Sequence, residues 1–347
     1  MPYCFESDSA DGAWRQAANT LLGSANRQLQ DSRCGKTREL LHVNFHISNP
    51  RERWVLSRQP GINPAFAIAE VFWILAGRND SQFINYWNPE LPKFAGQDEK
   101  YHGAYGYRLR RQFGFDQLER ASAALDKNPD SRQIVLEIWD ARSDFPAVDG
   151  SPVSEDIPCN VCSMLKVRDG RLDWMQIMRS NDLFLGTPHN FVQFTMLQEI
   201  IAGWLGLDIG GYGHFSDSLH AYEAYGDQVD KYSIAQIVPT ATNPDRLGLP
   251  KAESDIMLRK VMGILEAFTS TDLSVTKFRD HCTLDDLPEA YRNLIFIVAA
   301  DAARRRMAAD GARRKDWNAI MDRAAASCTN PVLRLAWDGW RQRRIRD

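Results

Sequence analysis

The sequence predicts an α/β (α+β) fold, a mixed sheet with packed helices, followed by a helical C-terminal extension. Three observations carry this reading. Two runs with strand-like alternation, roughly 159–168 and 171–178, are joined by Asp169-Gly170, a strong hairpin signal. Runs of helical periodicity stand on both sides of that hairpin. After about residue 280 the composition shifts to Ala and Arg, and residues 287–347 read as two or three helices. The expected division is residues 1–280 as the main domain and 281–347 as the extension.

Taken in order, residues 12–30 read as an amphipathic helix and 31–36 as a turn. Residues 40–47 alternate in part and read as a strand. Residues 64–77 read as a buried helix, with Pro64 near its start and Gly77 at its end. The stretch 80–104 contains Pro, Gly and Asp and reads as irregular. Residues 115–127 read as a helix, 132–140 as a strand and 144–158 as a loop. The run 191–205 is helical, with Phe191, Phe194, Met196, Leu197, Ile200, Ile201 and Trp204 on a broad apolar face. The clusters Arg304-Arg305-Arg306 and 341–346 make the end locally basic. Their plain reading is a solvated helical surface.

Composition narrows the function. The 347 residues are 44% hydrophobic, enough for one large domain or a domain with an appendage. A net charge of -3 argues against a general nucleic-acid-binding surface. The six cysteines are scattered without framework spacing, as in the reduced thiols of a cytoplasmic protein. The first residues lack the basic-then-apolar pattern of a signal peptide, and no apolar run reaches membrane-spanning length.

Cys159 draws the most chemistry. It follows Pro158 at the head of an alternating run, and a dense polar loop, 179–190, comes about twenty residues later. Cys159 and Cys162 also form C-x-x-C. As half a zinc site this lacks a second pair of ligands, so no metal is expected. As a redox pair it lacks the usual helix start, and a spacing of three turns the two side chains to opposite faces of a strand. The plainest reading of a single cysteine is a buried, inert one. Arg179 alone reads equally well as an exposed strand-end arginine.

The surrounding string resembles the thymidylate synthase family. The family pattern is a Pro-Cys nucleophile, then Arg-Ser-x-Asp-x-Phe-Leu-Gly-x-Pro-x-Asn, then His-x-Tyr. Here these are Pro158-Cys159, Arg179 through Asn190, and His220-Ala221-Tyr222. Weaker agreement places Glu70 at the catalytic glutamate, Tyr105 at the active-site tyrosine and Arg33 at a flexible phosphate arginine. Arg132 falls on a segment that lends an arginine to the partner subunit. The resemblance covers roughly residues 20–280 and implies a thymidylate synthase-like catalytic domain, a homodimer with shared active sites and a 5,10-methylenetetrahydrofolate cofactor.

The implied chemistry is one-carbon transfer to C5 of a pyrimidine nucleotide monophosphate, a uridylate first (dUMP to dTMP). C5 of uracil is too electron-poor to attack a one-carbon donor. A thiolate adding to C6 leaves an enolate whose C5 is nucleophilic, and sulfur both attacks and leaves well. Arg33, Arg132, Arg179 and Ser180 would hold the phosphate, and His220 and Tyr222 the sugar hydroxyl. Asp182 would bond the pyrimidine edge or a network beside it. Glu70 would relay protons. Asn190 carries a donor and an acceptor and would read N3–H and O4 of uracil; its plain reading is a helix cap. Because an amide rotates, neighbours such as Asn160 would have to lock it.

Departures fall in and around this site. Met178 stands for the family's Gln and Asn160 for its His. Gln133 replaces a second phosphate arginine. The tryptophan-rich stretch that packs on folate reads Leu91 to Gly96, and the short apolar C-terminus reads 339–347. Two rivals follow: hydroxymethylation at C5 of dUMP, dCMP or CMP, and a nucleotide-binding regulator without turnover. The family's prevalence favours methylation.

Overall fold

The computed structural model describes residues 3–23, 29–32, 35–222, 233–236 and 240–342. From the N-terminus, β1 (Tyr3–Ser7) leads to α1 (Ala10–Gly23), and β2 (Leu29–Ser32) to β3 (Gly35–Ile47). β4 (Arg58–Gln59) precedes α2 (Pro64–Leu75), α3 (Ser81–Trp87), α4 (Pro92–Ala95) and α5 (Tyr105–Tyr107). Next come α6 (Gln117–Lys127), β5 (Val135–Glu137), α7 (Ala141–Asp144), β6 (Asn160–Arg168) and β7 (Arg171–Met178). β8 (Asn181–Asp182), α8 (Gly186–Trp204), β9 (Asp208–Tyr222) and β10 (Ser233–Ile234) follow. Five helices close the described chain: α9 (Lys251–Thr269), α10 (Val275–Asp280), α11 (Glu289–Ala309), α12 (Arg314–Ser327) and α13 (Pro331–Arg341).

The hairpin between β6 and β7 forms where Asp169-Gly170 predicts it. Both residues take positive φ, 50° and 71°, which lets a two-residue turn match the strand twist. Among the described residues the main sheet runs β1-β3-β9-β7-β6-β5, with β2 also on β3 and β8 also on β9. It is mixed: β1/β3, β7/β9 and β8/β9 are parallel, and the remaining pairs antiparallel.

Helices α1 and α8 pack on the sheet, α2 packs on α8, and α11 packs on the far side of α2. α2 is thus enclosed on all sides, which explains an apolar composition with no polar face. Every residue of α2 is buried except Glu70, which is half-buried with its Oε2 out of contact with solvent. Its start is fixed by Asn63, whose side chain accepts from the backbone N–H groups of Ala65 and Phe66.

Several boundaries differ from expectation. The first helix ends at Gly23, and Leu29–Ser32 is extended. The stretch 80–104 holds two short helices, α3 and α4. α8 begins at Gly186 rather than near 191, so Asn190 lies inside the helix and not at its cap. Of the arginines read as solvated, Arg304 and Arg305 are structural, while positions 343–346 lie outside the described residues. Arg304 and Arg305 both bond Asp301, which is fully buried, and Arg305 reaches the carbonyl of Trp87 at 2.6 Å. Arg304 also lies over the Trp340 ring at 4.8 Å. A buried carboxylate needs such partners, so these arginines join helices instead of facing water. No helix among the described residues is long and apolar enough to cross a membrane.

Candidate active site

Glu70 is a lone carboxyl on an otherwise apolar helix. Burial raises its pKa from 4.5 to about 7, opposed by a hydrogen bond from Gln193 of α8. Its Oε2 is buried with no partner among the described residues. Such a group can hold or release a proton near neutrality. One turn before each of these residues, the rings of Phe66 and His189 meet edge to face at 5.0 Å, so two successive turns of α2 and α8 are paired.

Cys159 immediately precedes β6 and is partly buried. Arg179, just past the end of β7, grips the backbone before it. Its Nε donates to the carbonyl of Pro158 at 3.0 Å, and a terminal nitrogen to that of Ile157 at 3.1 Å. The Arg179 N–H also donates to the Cys159 carbonyl at 2.9 Å. The hairpin therefore sets a fixed positive charge beside the thiol. Tyr105 faces the same space. Burial lifts its pKa well above the usual range, the charges of Cys159, Asp156 and Glu70 push it further, and Arg179 opposes them. Those four groups thus surround one phenol. Gly106 makes this approach possible: a Cβ there would lie 2.5 Å from the Ile74 carbonyl oxygen of α2.

The next residues of the motif form a second cluster. Asp182 Oδ1 accepts from the N–H groups of Phe184 at 2.7 Å and Leu185 at 2.6 Å, shaping the turn into α8. Its Oδ2 is buried and unpartnered among the described residues, and burial raises its pKa against those N–H bonds and the nearby His220. His220 pairs with Asp182 across β8 and β9, and its ring meets Tyr222 at 5.5 Å. Burial lowers the His220 pKa, while Asp182 and Glu39 pull it back. Asn190 is 6% exposed, and its Nδ2 donates to Asn181 Oδ1 at 3.0 Å.

Other expected residues stand apart. Arg33 lies outside the described residues. Ser180 is partly buried at the mouth of β8. Arg132 is exposed before β5 and makes no hydrogen bond or ion pair among the described residues. Asn160 is fully buried; its Oδ1 accepts from Gln176, so its amide is turned toward that residue and not toward Asn190. Three residues escaped sequence reasoning: Gln193, Asp156 and Asn181. Gln193 had a signal, since it falls about two helical turns after the start of α8 at Gly186. Asn181 sat inside the motif at an unassigned position.

The stretch expected to meet folate presents an apolar edge. Leu91 precedes α4 and the 39%-exposed Phe94 lies within it. A Cβ on Gly96, just past that helix, would lie 2.7 Å from Glu155 Oε2, on the loop that leads to Cys159. An exposed apolar edge beside the nucleophile's loop is what an aromatic ring packs against.

A mixed sheet with a thiol at a strand start, near a buried carboxyl and a phenol, is an arrangement suited to nucleophilic chemistry. Residues 21–285 match the family model described as thymidylate synthase. The chain belongs to that family. It is 36% identical over 197 residues to a deoxyuridylate hydroxymethyltransferase of Pseudomonas phage M6, covering 56% of this chain and 53% of that protein. It is 34% identical over 206 residues to a deoxyuridylate hydroxymethyltransferase of Bacillus phage SP01, again 56% and 53%. A thymidylate synthase of Clostridium beijerinckii is 28% identical over 227 residues, 63% of this chain and 79% of that protein. The chain spans about half the length of the phage relatives it matches.

Proposed function

We propose that this protein transfers a one-carbon unit to C5 of a uridylate through a Cys159–C6 adduct and releases the 5-hydroxymethyl nucleotide. The observation that supports it is the convergence of Cys159, Glu70 and Arg179 on Tyr105. The phage relatives' names move the product from methyl to hydroxymethyl. The altered stretch at Leu91 to Gly96 favours the same product, because a site less enclosed on that side would admit water. Methylation is the second reading, supported by the thymidylate synthase relative.

In this mechanism Arg179 and Ser180, with Arg33, hold the phosphate, and His220 and Tyr222 the sugar. Asn190 reads the base edge. Cys159 Sγ bonds C6, the electrons move to O4, and C5 becomes the nucleophile. Methylenetetrahydrofolate would supply the carbon, with the Leu91 to Gly96 stretch and Glu70 as the residues that would meet it. Glu70 passes protons to and from that side of the base, which its pKa of about 7 permits. The C5 proton is lost and the carbon–nitrogen bond to the carrier breaks, the carrier departing as its free amine and leaving an exocyclic methylene on the nucleotide; water adds to that methylene, and the S–C6 bond breaks to restore the ring. The second face of the sheet carries partly exposed Met164, Met175, Ile177 and Phe215, and a second copy seated there would bring its Arg132 to the phosphate.

Tritium release from C5-labelled deoxyuridylate, with and without methylenetetrahydrofolate, tests turnover, and product mass tests the outcome. A 5-hydroxymethyl product is expected. Only thymidylate would replace the first reading by the second, and no release with intact nucleotide binding would leave a binding protein.

A further inference from the structure

Behind Asn190 stands a line of buried polar side chains that no part of the proposed chemistry uses. Asn190 Nδ2 donates to Asn181 Oδ1 at 3.0 Å. Asn181 Nδ2 lies 3.0 Å from His214 Nε2 and 3.1 Å from Ser216 Oγ. His214 Nδ1 lies 2.9 Å from the Tyr212 hydroxyl. Asn181 is 2% exposed, and His214 and Tyr212 are fully buried. Water therefore cannot substitute for a partner lost from this line.

The protons can be assigned by elimination. Burial depresses the His214 pKa to about 3, so the ring is neutral and has one donor and one acceptor nitrogen. An amide nitrogen only donates. His214 Nε2 must then accept from Asn181, and His214 Nδ1–H must donate to the Tyr212 oxygen. Turning the Asn190 amide by itself would set its oxygen against Asn181 Oδ1, two acceptors with no proton between them. Turning Asn181 as well would set its oxygen against the lone pair of His214 Nε2 and demand the other tautomer. Such a change would need both amides, the His214 ring proton and the Tyr212 hydroxyl to rearrange together. The His214 ring is held edge-on by Phe45 at 5.8 Å and Phe191 at 5.5 Å. The start of α8 presses on Asn181: a Cβ at Gly186 would stand 2.9 Å from its Oδ1.

We propose that Asn181, His214 and Tyr212 form a positioning chain that fixes the Asn190 amide in one orientation and thereby commits the site to uracil over cytosine. The inference rests on the reading of Asn190 as the base-contacting residue. Uracil offers a donor at N3 and an acceptor at O4, and cytosine offers the inverse at N3 and N4. A freely turning amide serves both; a fixed one serves a single pattern and leaves the other with mismatched polar groups. None of the three positioning residues needs to touch the nucleotide. Their effect is on the ratio between two substrates, which a loss of general stability would leave in place.

The test is the ratio of kcat/KM for deoxyuridylate to that for deoxycytidylate. Asn181→Leu keeps the volume and removes the amide, and the ratio should fall about tenfold or more, equivalent to ~1.4 kcal/mol of discrimination. Asn181→Asp should hold the ratio within about threefold of the wild type, because a carboxylate only accepts and Asn190 must still present its nitrogen. His214→Phe and Tyr212→Phe keep the rings and should lower the ratio by smaller steps. They decide the matter if Asn181→Leu does not fold. A parallel fall for both nucleotides with an unchanged ratio would overturn the positioning chain. Asn190→Asp is the control for the underlying reading: it should shift preference toward cytidylate. If it does and the chain variants leave the ratio unchanged, the chain alone fails. If Asn190→Asp leaves the ratio unchanged, Asn190 does not read the base and both fall.

Discussion

Two buried polar clusters in this molecule are built on opposite principles. Around α2 and the start of α8, Glu70 Oε2, Asp182 Oδ2, Gln193 Oε1, Asn160 Nδ2 and His189 Nδ1 are all buried without a partner among the described residues. Where the C-terminal helices meet the segment before α9, the polar groups instead satisfy one another. Asn330 Nδ2 donates to Asn243 Oδ1 at 2.8 Å and Asp245 Oδ2 at 2.7 Å, and Asn293 donates to both oxygens of Asp245. Thr329 N–H closes the set on Asn293 Oδ1 at 2.8 Å. Burial raises the Asp245 pKa, and the bonds from Asn330 and Asn293 draw it back. An unmet buried polar atom costs about 1–3 kcal/mol. A chain that tolerates five in one place and none of that kind in the other keeps the first for a ligand and the second for cohesion.

Substitutions can break or sharpen that contrast. The largest effect is expected at Cys159. Cys159→Ser should reduce C5 tritium exchange by at least about a thousandfold, while nucleotide affinity, measured by calorimetry, stays near the wild-type value. Cys162→Ser, three residues into the same run, should leave exchange within about twofold. Equal losses from the two would return the redox or metal reading of the pair.

Glu70→Gln comes next, with a fall in kcat of about 10²–10⁴-fold. It also has a stability signature. Burial raises the Glu70 pKa from 4.5 to about 7, so across that window the native protein holds a proton that the unfolded chain has lost. Wild-type stability should fall as pH rises from 4.5 to about 7, and the glutamine variant should not follow it. The Tm of Glu70→Gln minus that of the wild type should therefore be smallest below pH 4.5 and level off above about 7. A difference that is flat with pH would mean that Glu70 is not buried as described.

Arg132→Ala should weaken phosphate binding by about 10–100-fold, the worth of a charged hydrogen bond. Mixing inactive Arg132→Ala and Cys159→Ser chains should restore partial activity. Demonstrated subunit exchange without recovery would show that no site is shared. The smallest effect on turnover is expected in the satisfied cluster. Asn330→Ala removes a cap and two bonds to buried oxygens and should cost about 2–4 kcal/mol of stability, with kcat/KM unchanged well below the transition. A selective loss of kcat/KM there would erase the contrast between the clusters.

The same contrast marks what was legible in the residues alone. Cys159, Arg179 and Asn190 could be read because they lie within one short stretch, and the hairpin because Asp169-Gly170 is a local signal. Asn181 was in that stretch too, yet its partners His214 and Ser216 come 33 and 35 residues later. β9, which carries those partners, was not anticipated, since Gly210, Gly211 and Gly213 weaken its strand pattern. Asn160 looked like the neighbour that would hold Asn190, but Gln176 on the adjacent strand takes it. The arginines at 304–306 looked solvated because the Trp87 carbonyl and the Trp340 ring, which Arg305 and Arg304 meet, are brought in only by folding.

The order of the strands has a consequence for how the chain is made. β3 ends at Ile47, and its long antiparallel neighbour β9 does not begin until Asp208. At a synthesis rate of about 5–20 residues per second, roughly 8–30 seconds separate the two. Through that interval β3 has β1 and β2 beside it and one long edge open. β7 likewise waits for β9 to complete its inner side. The sheet is therefore sealed by its central strand, late, and the nascent chain spends nearly half of its synthesis with a template for mispairing in its middle.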